Sequence, residues 1–92
     1  MIEALTIPVE ISDITGQKVA RVKVPTEVTV GEMTASAVNR LKLPRKRGGQ
    51  PVTYYPLLER ESRHLSASET CGEVLEPADR LVLQPNVDAG GR

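Results

Sequence analysis

Thr29-Val30-Gly31-Glu32-Met33-Thr34-Ala35-Ser36-Ala37-Val38-Asn39-Arg40-Leu41-Lys42-Leu43-Pro44 is the stretch that decides the fold. Thr29 and Glu32 have the spacing of a capping box. The threonine oxygen accepts from a free N–H of the first turn, and the glutamate reaches back to the N-cap N–H. Val30, Met33, Ala37, Val38 and Leu41 recur at helical spacing and give one apolar face to a helix running to Lys42. Gly31 weakens the first turn. The residue before a proline avoids helical geometry, so Leu43-Pro44 stops the helix. One apolar helix face needs a surface to cover, and the flanking segments supply it.

Upstream, Leu5, Ile7, Val9 and Ile11 alternate with Thr6, Pro8, Glu10 and Ser12. A period of two describes a half-buried strand, with Pro8 confined to an edge, a bulge or an outward position. Asp13-Ile14-Thr15-Gly16-Gln17 is a turn, and Lys18 to Val24 alternates again before Pro25, which predicts a β-hairpin. Downstream, Arg45-Lys46-Arg47-Gly48-Gly49-Gln50-Pro51 reads as an exposed loop that Gly48-Gly49 makes flexible. Val52 to Leu58 is a third strand interrupted by Pro56, and Arg63-His64-Leu65 a short fourth one. Cys71 to Leu75 is a helical turn, and Arg80 to Gln84 the last strand. This order predicts an α+β domain: a mixed sheet of four to five strands packed on one helix. The domain is expected over residues 1–85, with a flexible tail over residues 86–92.

Ninety-two residues make one small domain, and its core must come from Val, Leu, Ile and Ala because Trp and Phe are absent. Tyr54 and Tyr55 are the only aromatics, too few for the stacking platforms of single-strand nucleic-acid binders. Twelve acidic residues balance twelve basic ones, which speaks against a polyanionic partner. Cys71 is the single cysteine, so no internal disulfide is possible and a reducing compartment fits. The segment Met1 to Pro8 lacks the basic start and long apolar run of a signal peptide, and no stretch is long enough to span a bilayer. A cytoplasmic protein with neither nucleic-acid nor membrane partners is the expectation.

The chain closes on Asn86-Val87-Asp88-Ala89-Gly90-Gly91-Arg92. A Gly-Gly end lacks side chains and takes backbone angles closed to other residues, so it can thread a narrow channel. Arg92 holds the terminal carboxylate, and chemical use of the tail therefore requires a cut after Gly91.

Taken together, these elements resemble ubiquitin and the wider β-grasp family over nearly the whole chain. Asp13 to Gln17 resembles the Leu-Thr-Gly turn of the first hairpin, and Thr29 to Leu41 stands where the single long helix belongs. Thr70-Cys71-Gly72-Glu73-Val74-Leu75 resembles the Thr-Leu-Ser-Asp-Tyr-Asn-Ile turn, with Cys71 in the place of its buried leucine. Leu81-Val82-Leu83 resembles Leu-His-Leu before the di-glycine tail. The recognition patch departs from the family, since Ile14 stands for its loop leucine but Gln84 replaces its valine. The tail lacks the family's arginines. Both departures bring the chain closest in character to bacterial ubiquitin-like modifiers.

The resemblance implies a protein modifier that is itself no enzyme and carries no catalytic residue, cofactor or metal. Gly90 and Gly91 would be the conjugation residues, and the Gly91–Arg92 bond the processing site of a metal-dependent peptidase. Activating and conjugating enzymes and target-protein lysines would be the partners. Ile14, with Val82 or Leu58, could form an apolar docking patch, and Val87 and Ala89 would add small contacts in the channel. The same fold also serves non-covalent modules of secretion systems, whose tail is inert, and sulfur carriers, whose di-glycine end becomes a thiocarboxylate.

Other candidates have structural explanations. Cys71 with His64 as base lacks a third orienting group, and the two fall short of the four ligands a zinc site usually wants. Cys71 is expected as a small buried apolar residue. Arg40, Lys42, Arg45, Lys46 and Arg47 could hold phosphates, but cations near a helix C-terminus complement its dipole. Lys18, Lys23, Lys42 and Lys46 could each accept the tail of another copy, as any surface lysine could.

Overall fold

In the computed structural model, which describes residues 5–87, the first hairpin pairs β1 (Thr6–Asp13) with β2 (Val19–Pro25), closed by a turn that takes Gly16 to φ +76°. Helix α1 (Val30–Leu41) follows, then β3 (Lys46–Arg47), β4 (Gln50–Leu58), β5 (Arg63–His64), the short helix α2 (Cys71–Val74) and β6 (Asp79–Val87). The sheet runs β2-β1-β6-β4-β3, with β5 paired to β4. Every pairing is antiparallel except that of β1 with β6, so the sheet is mixed. This is the α+β, β-grasp arrangement expected: four long strands, two two-residue strands and one long helix.

The helix forms where its capping box lies. Glu32 N–H donates to Thr29 Oγ1 at 3.1 Å, and Thr29 N–H donates to Glu32 Oε1 at 2.9 Å. Val30, Met33, Ala37, Val38 and Leu41 are all buried, as their spacing predicts. The helix ends earlier than the proline alone requires. Lys42 turns left-handed at φ +55°, donating its N–H to Asn39 O, while Leu43 N–H donates to Val38 O. Beneath the helix, Ile7, Val9 and Ile11 of β1 meet Leu81 and Leu83 of β6 and Leu58 of β4. Cys71 fills the far end of this core, fully buried, with Sγ 3.8 Å from Met33 Sδ.

The prolines mark where ladders begin and end. Pro8 pairs with Lys23, one residue before β1 meets β6; Pro56 pairs with Leu83, one residue before β5 joins β4. Pro51 pairs with Lys46 just short of the β4–β6 ladder, and Pro85 pairs with Tyr54 after the β1–β6 ladder has closed. Each therefore sits where its strand has a single ladder partner, so the missing N–H breaks no second ladder. Among the described residues β2 pairs only with β1, and its exposed positions are Val19, Arg21, Lys23 and Pro25.

Two segments differ from the sequence reading. Arg45 to Pro51 is no open loop: Lys46 pairs with Pro51 and Arg47 with Gln50 across a two-residue turn. Gly48 at φ +59° and Gly49 at φ +80° give that turn the double positive φ that matches strand twist in tight hairpins. The last strand also outruns its expected end at Gln84. Asn86 pairs with Thr53 and Val87 with Val52, so the strand runs through Val87, two residues into the stretch expected as tail.

Candidate functional site

Two regions hold the residues that the sequence marks for function: the sheet face turned away from α1, and the end of the sheet where β6 finishes. Side chains alternate across a strand, so burial of Leu81 and Leu83 under the helix sends Val82 and Gln84 to the opposite face. Val82 is half-buried there between Ser12 of β1 and Leu57 of β4. Ile14 is 59% exposed and follows directly on Asp13, whose partner in β6 is Leu83. Ile14 thus stands in the turn just past the end of β1, two residues beyond Ser12, the partner of Val82.

Leu58 does not join them. It is 0% exposed and belongs to the core, because it shares the inward parity of Pro56. Leu57, one residue earlier, takes the outward place beside Val82. The tight alternation of β4 was the available signal, but consecutive leucines and an internal proline hid its phase.

Gln84 and Tyr55 make the rest of this face polar. His64 Nε2 lies 2.5 Å from Gln84 Oε1, and the His64 ring meets Tyr55 edge-on at 6.5 Å between centroids. His64 is thus held on the exposed face by Gln84 and Tyr55, while Cys71 lies in the core against Met33. Burial pushes the Cys71 thiol above its usual range, aided by the charge of Glu32. A thiol so placed is a packing element and a poor nucleophile. Among the described residues, no three of His, Cys, Asp and Glu stand close enough to share a metal ion.

The second region is built around the end of β6. Val87 is paired by backbone to Val52, and β4 continues past that pair through Pro51 and Gln50 into the turn and β3. Val52 N–H donates to Arg45 O at 2.9 Å, and the Tyr54 hydroxyl donates to Pro44 O at 2.7 Å, tying the hairpin to the end of the helix. The Arg45 guanidinium donates to Asn39 Oδ1, and Lys18 Nζ donates to Lys42 O at 3.2 Å, bringing the first turn alongside. Asp13 is the carboxylate here. Burial raises its pKa, but hydrogen bonds from Thr15 and the Lys18 and Gly16 backbones outweigh it and hold it below the usual range. Ala89, Gly90, Gly91 and Arg92 lie outside the described residues.

At the other end of the molecule Arg60 clamps the turn before β6. It donates through Nε and Nη2 to the two oxygens of Asp79, at 2.9 and 3.1 Å, and through Nη2 to Val74 O. Asp79 also accepts from Glu76 N–H at 2.7 Å. The Arg60 guanidinium holds the Asp79 carboxyl below the usual range, against the opposing effect of its burial.

No protein-family model matches this chain, and no curated protein matches it by sequence. Solved structures do. Ubiquitin from Caldiarchaeum subterraneum matches with a TM-score of 0.62 at 22% identity, covering 92% of this chain and 99% of its own. A designed protein based on ubiquitin matches with a TM-score of 0.67 at 17% identity, covering 96% and 98%. A chain of the MycP5-free ESX-5 inner membrane complex matches with a TM-score of 0.66 at 20% identity, covering 96% of this chain and 23% of that much longer one. At these identities the likeness is one of fold. The chain has the ubiquitin-like β-grasp fold.

Proposed function

We propose that this protein is a ubiquitin-like modifier, joined to other proteins through the carboxylate of Gly91. One observation supports the reading above others: in a chain of ubiquitin-like fold, Gly90-Gly91 follows the last residue of the last strand, Val87, after only Asp88 and Ala89. Hydrolysis of the Gly91–Arg92 bond by a peptidase, metal-dependent on the family analogy, frees that carboxylate. The carboxylate attacks the α-phosphorus of ATP on an activating enzyme, giving an acyl adenylate and pyrophosphate. A cysteine thiol of that enzyme displaces AMP to form a thioester, which a conjugating enzyme can take over. A target lysine amine then displaces the thiol and leaves an isopeptide bond.

The protein is the substrate throughout. Its own residues present and identify the tail. Residues 88–91 span at most about 13 Å at about 3.3 Å per residue, so the globular body stays close to the enzyme that takes Gly91. Ile14, Val82 and Leu57 offer that enzyme an apolar contact on the open face, and Val87 and Ala89 offer small contacts beside the tail.

Expression of the tagged chain in its own cell tests this. High-mass adducts on denaturing gels should vanish when Gly91 is replaced by Ala or Pro, and mass spectrometry should find a species ending at Gly91 and a di-glycine remnant on lysines. Recovered material that always retains Arg92 would sink the reading.

A second reading has its own support. The ESX-5 chain, of which this fold covers 23%, is part of an inner membrane complex, so the fold also occurs as one portion of a larger assembly. Here the protein would be a non-covalent module, and deletion of residues 88–92 would leave its activity intact.

A further inference from the structure

Although the net charge is zero, charge is separated along the strands. Around the end of β6 stand Lys18, Lys42, Arg45 and Lys46, with Arg47 in the same hairpin, against the carboxylate of Asp13, with Asp88 next in the chain; Arg40, in the last turn of α1, lies toward β2 instead. Around the start of β6 stand Glu59, Glu61, Glu69, Glu73, Glu76 and Asp79, offset in part by Arg60, Arg63 and Arg80, with Arg21 and Lys23 of β2 nearby. The ladders fix this polarity. Leu58 pairs with Leu81 at one end and Val52 with Val87 at the other, while the helix starts beside Glu69 and finishes beside Lys18.

We infer that the β3–β4 hairpin and the cations beside it form a docking surface for the partner that takes the C-terminal residues, and that this partner carries a carboxylate-lined rim. The inference rests on the modifier reading and adds to it the partner's chemistry. β4 runs two residues beyond the Val52–Val87 pair, so the hairpin stands about 7 Å past Val87. Residues 88–91 reach about 13 Å at most. A surface that captures Gly91 therefore lies within about 20 Å of the hairpin. That is at most about two to three Debye lengths of about 8 Å each, and the cations are felt most strongly by a partner that reaches the hairpin itself. A basic collar selects an acidic rim and steers its approach.

The collar also suits nucleic acid less well than protein. Tyr54 donates its hydroxyl to Pro44 O, and Tyr55 stands edge-on to His64 on the open face, so neither ring makes a stacking platform beside the cations.

The test uses the full chain in an ATP-supplied lysate of its own cell, with the initial rate of adduct formation read on denaturing gels at low and physiological salt. Arg45→Glu with Lys46→Glu should slow adduct formation about tenfold at low salt and flatten its salt dependence. The milder pair Arg45→Gln with Lys46→Gln should give a smaller loss in the same direction, and it carries the test should the glutamates disturb folding, as judged by circular dichroism. Glu59→Lys with Glu73→Lys, at the opposite pole, should leave the rate unchanged. Should the wild type form no adducts, the modifier reading itself fails and this inference with it. If the wild type conjugates and both hairpin pairs conjugate as fast, the docking surface alone is refuted. A duplex DNA probe that binds the wild type at physiological salt, and whose binding the glutamate pair abolishes without slowing conjugation, would also overturn it.

Discussion

Replacing Gly48 and Gly49 together by alanine separates the strain of a turn from the worth of the hairpin it closes. Both residues have positive φ, and a Cβ added at either meets nothing within 4 Å. The cost is therefore purely conformational, about 1–2 kcal/mol for each alanine held left-handed. Were the hairpin rigid, the pair would cost about 2–4 kcal/mol. The hairpin, however, consists of two residue pairs whose hydrogen bonds contribute about 0.5–1.5 kcal/mol each. Once strain exceeds that sum, residues 46–51 open and the loss stops growing. The double variant should lose about 1–2 kcal/mol by urea denaturation, scarcely more than either single one. Amide protection at Arg47 and Gln50 should fall while that of β1 and β6 holds. Gly48→Asn should be nearly neutral, because asparagine tolerates the left-handed region. Additive losses above about 3 kcal/mol, or undiminished protection at Arg47, would refute this account of the hairpin as a weak, turn-dependent unit.

Three further outcomes follow from particular residues. Lys42 caps α1 at φ +55°, so Lys42→Gly should stabilise the protein by about 0.5–1 kcal/mol in thermal melts, a gain that would be absent if another contact holds the cap. Gly72 has ordinary backbone angles, but a Cβ there would stand 2.9 Å from both Thr26 Cβ and Thr26 O; Gly72→Ala should cost about 1–3 kcal/mol, and a neutral result would mean the α2 segment moves freely. Asp79 has a folded pKa below the ordinary 3.8, so its ionised form stabilises the fold above that pH and the contribution fades as pH falls through the folded value. Stability of the wild type should therefore drop below about pH 4 more steeply than that of Asp79→Asn, and parallel profiles would remove the Arg60 clamp from the account.

The sequence made the helix legible because two independent signals coincide there, the Thr29–Glu32 box and the apolar period through Leu41. The first hairpin was legible for a similar reason, as alternation on both sides frames Gly16. The place of Cys71 in the resemblance makes it a buried residue, and its contact with Met33 agrees. The β3–β4 hairpin stayed hidden because Gly48-Gly49 serves equally as flexible loop and as tight turn, and Lys46 and Arg47 carry no strand preference to separate the two. The last residues of β6 were hidden by Pro85 and Asn86, which are poor strand formers. They are tolerated because β1 has already ended at Asp13, leaving β4 as the sole ladder partner. On the open face, Ile14 and Val82 were legible singly, whereas the choice of Leu57 over Leu58 needed the phase of the β4–β6 ladder.

Among the described residues one side of β2 is unaccompanied, which has a consequence for how many copies can share a solution. A bare strand edge is a template on which an identical edge can add, and such additions can continue without limit. Arg21 and Lys23 alternate along that edge, and Pro25 at its end has no N–H to offer. Two copies meeting there bring Arg21 and Lys23 together, while Val19 and Pro25 carry no charge, so extended stacking is opposed by those two cations and by the proline's missing N–H. Dense stocks of this chain should accordingly remain as separate molecules rather than knit into fibres.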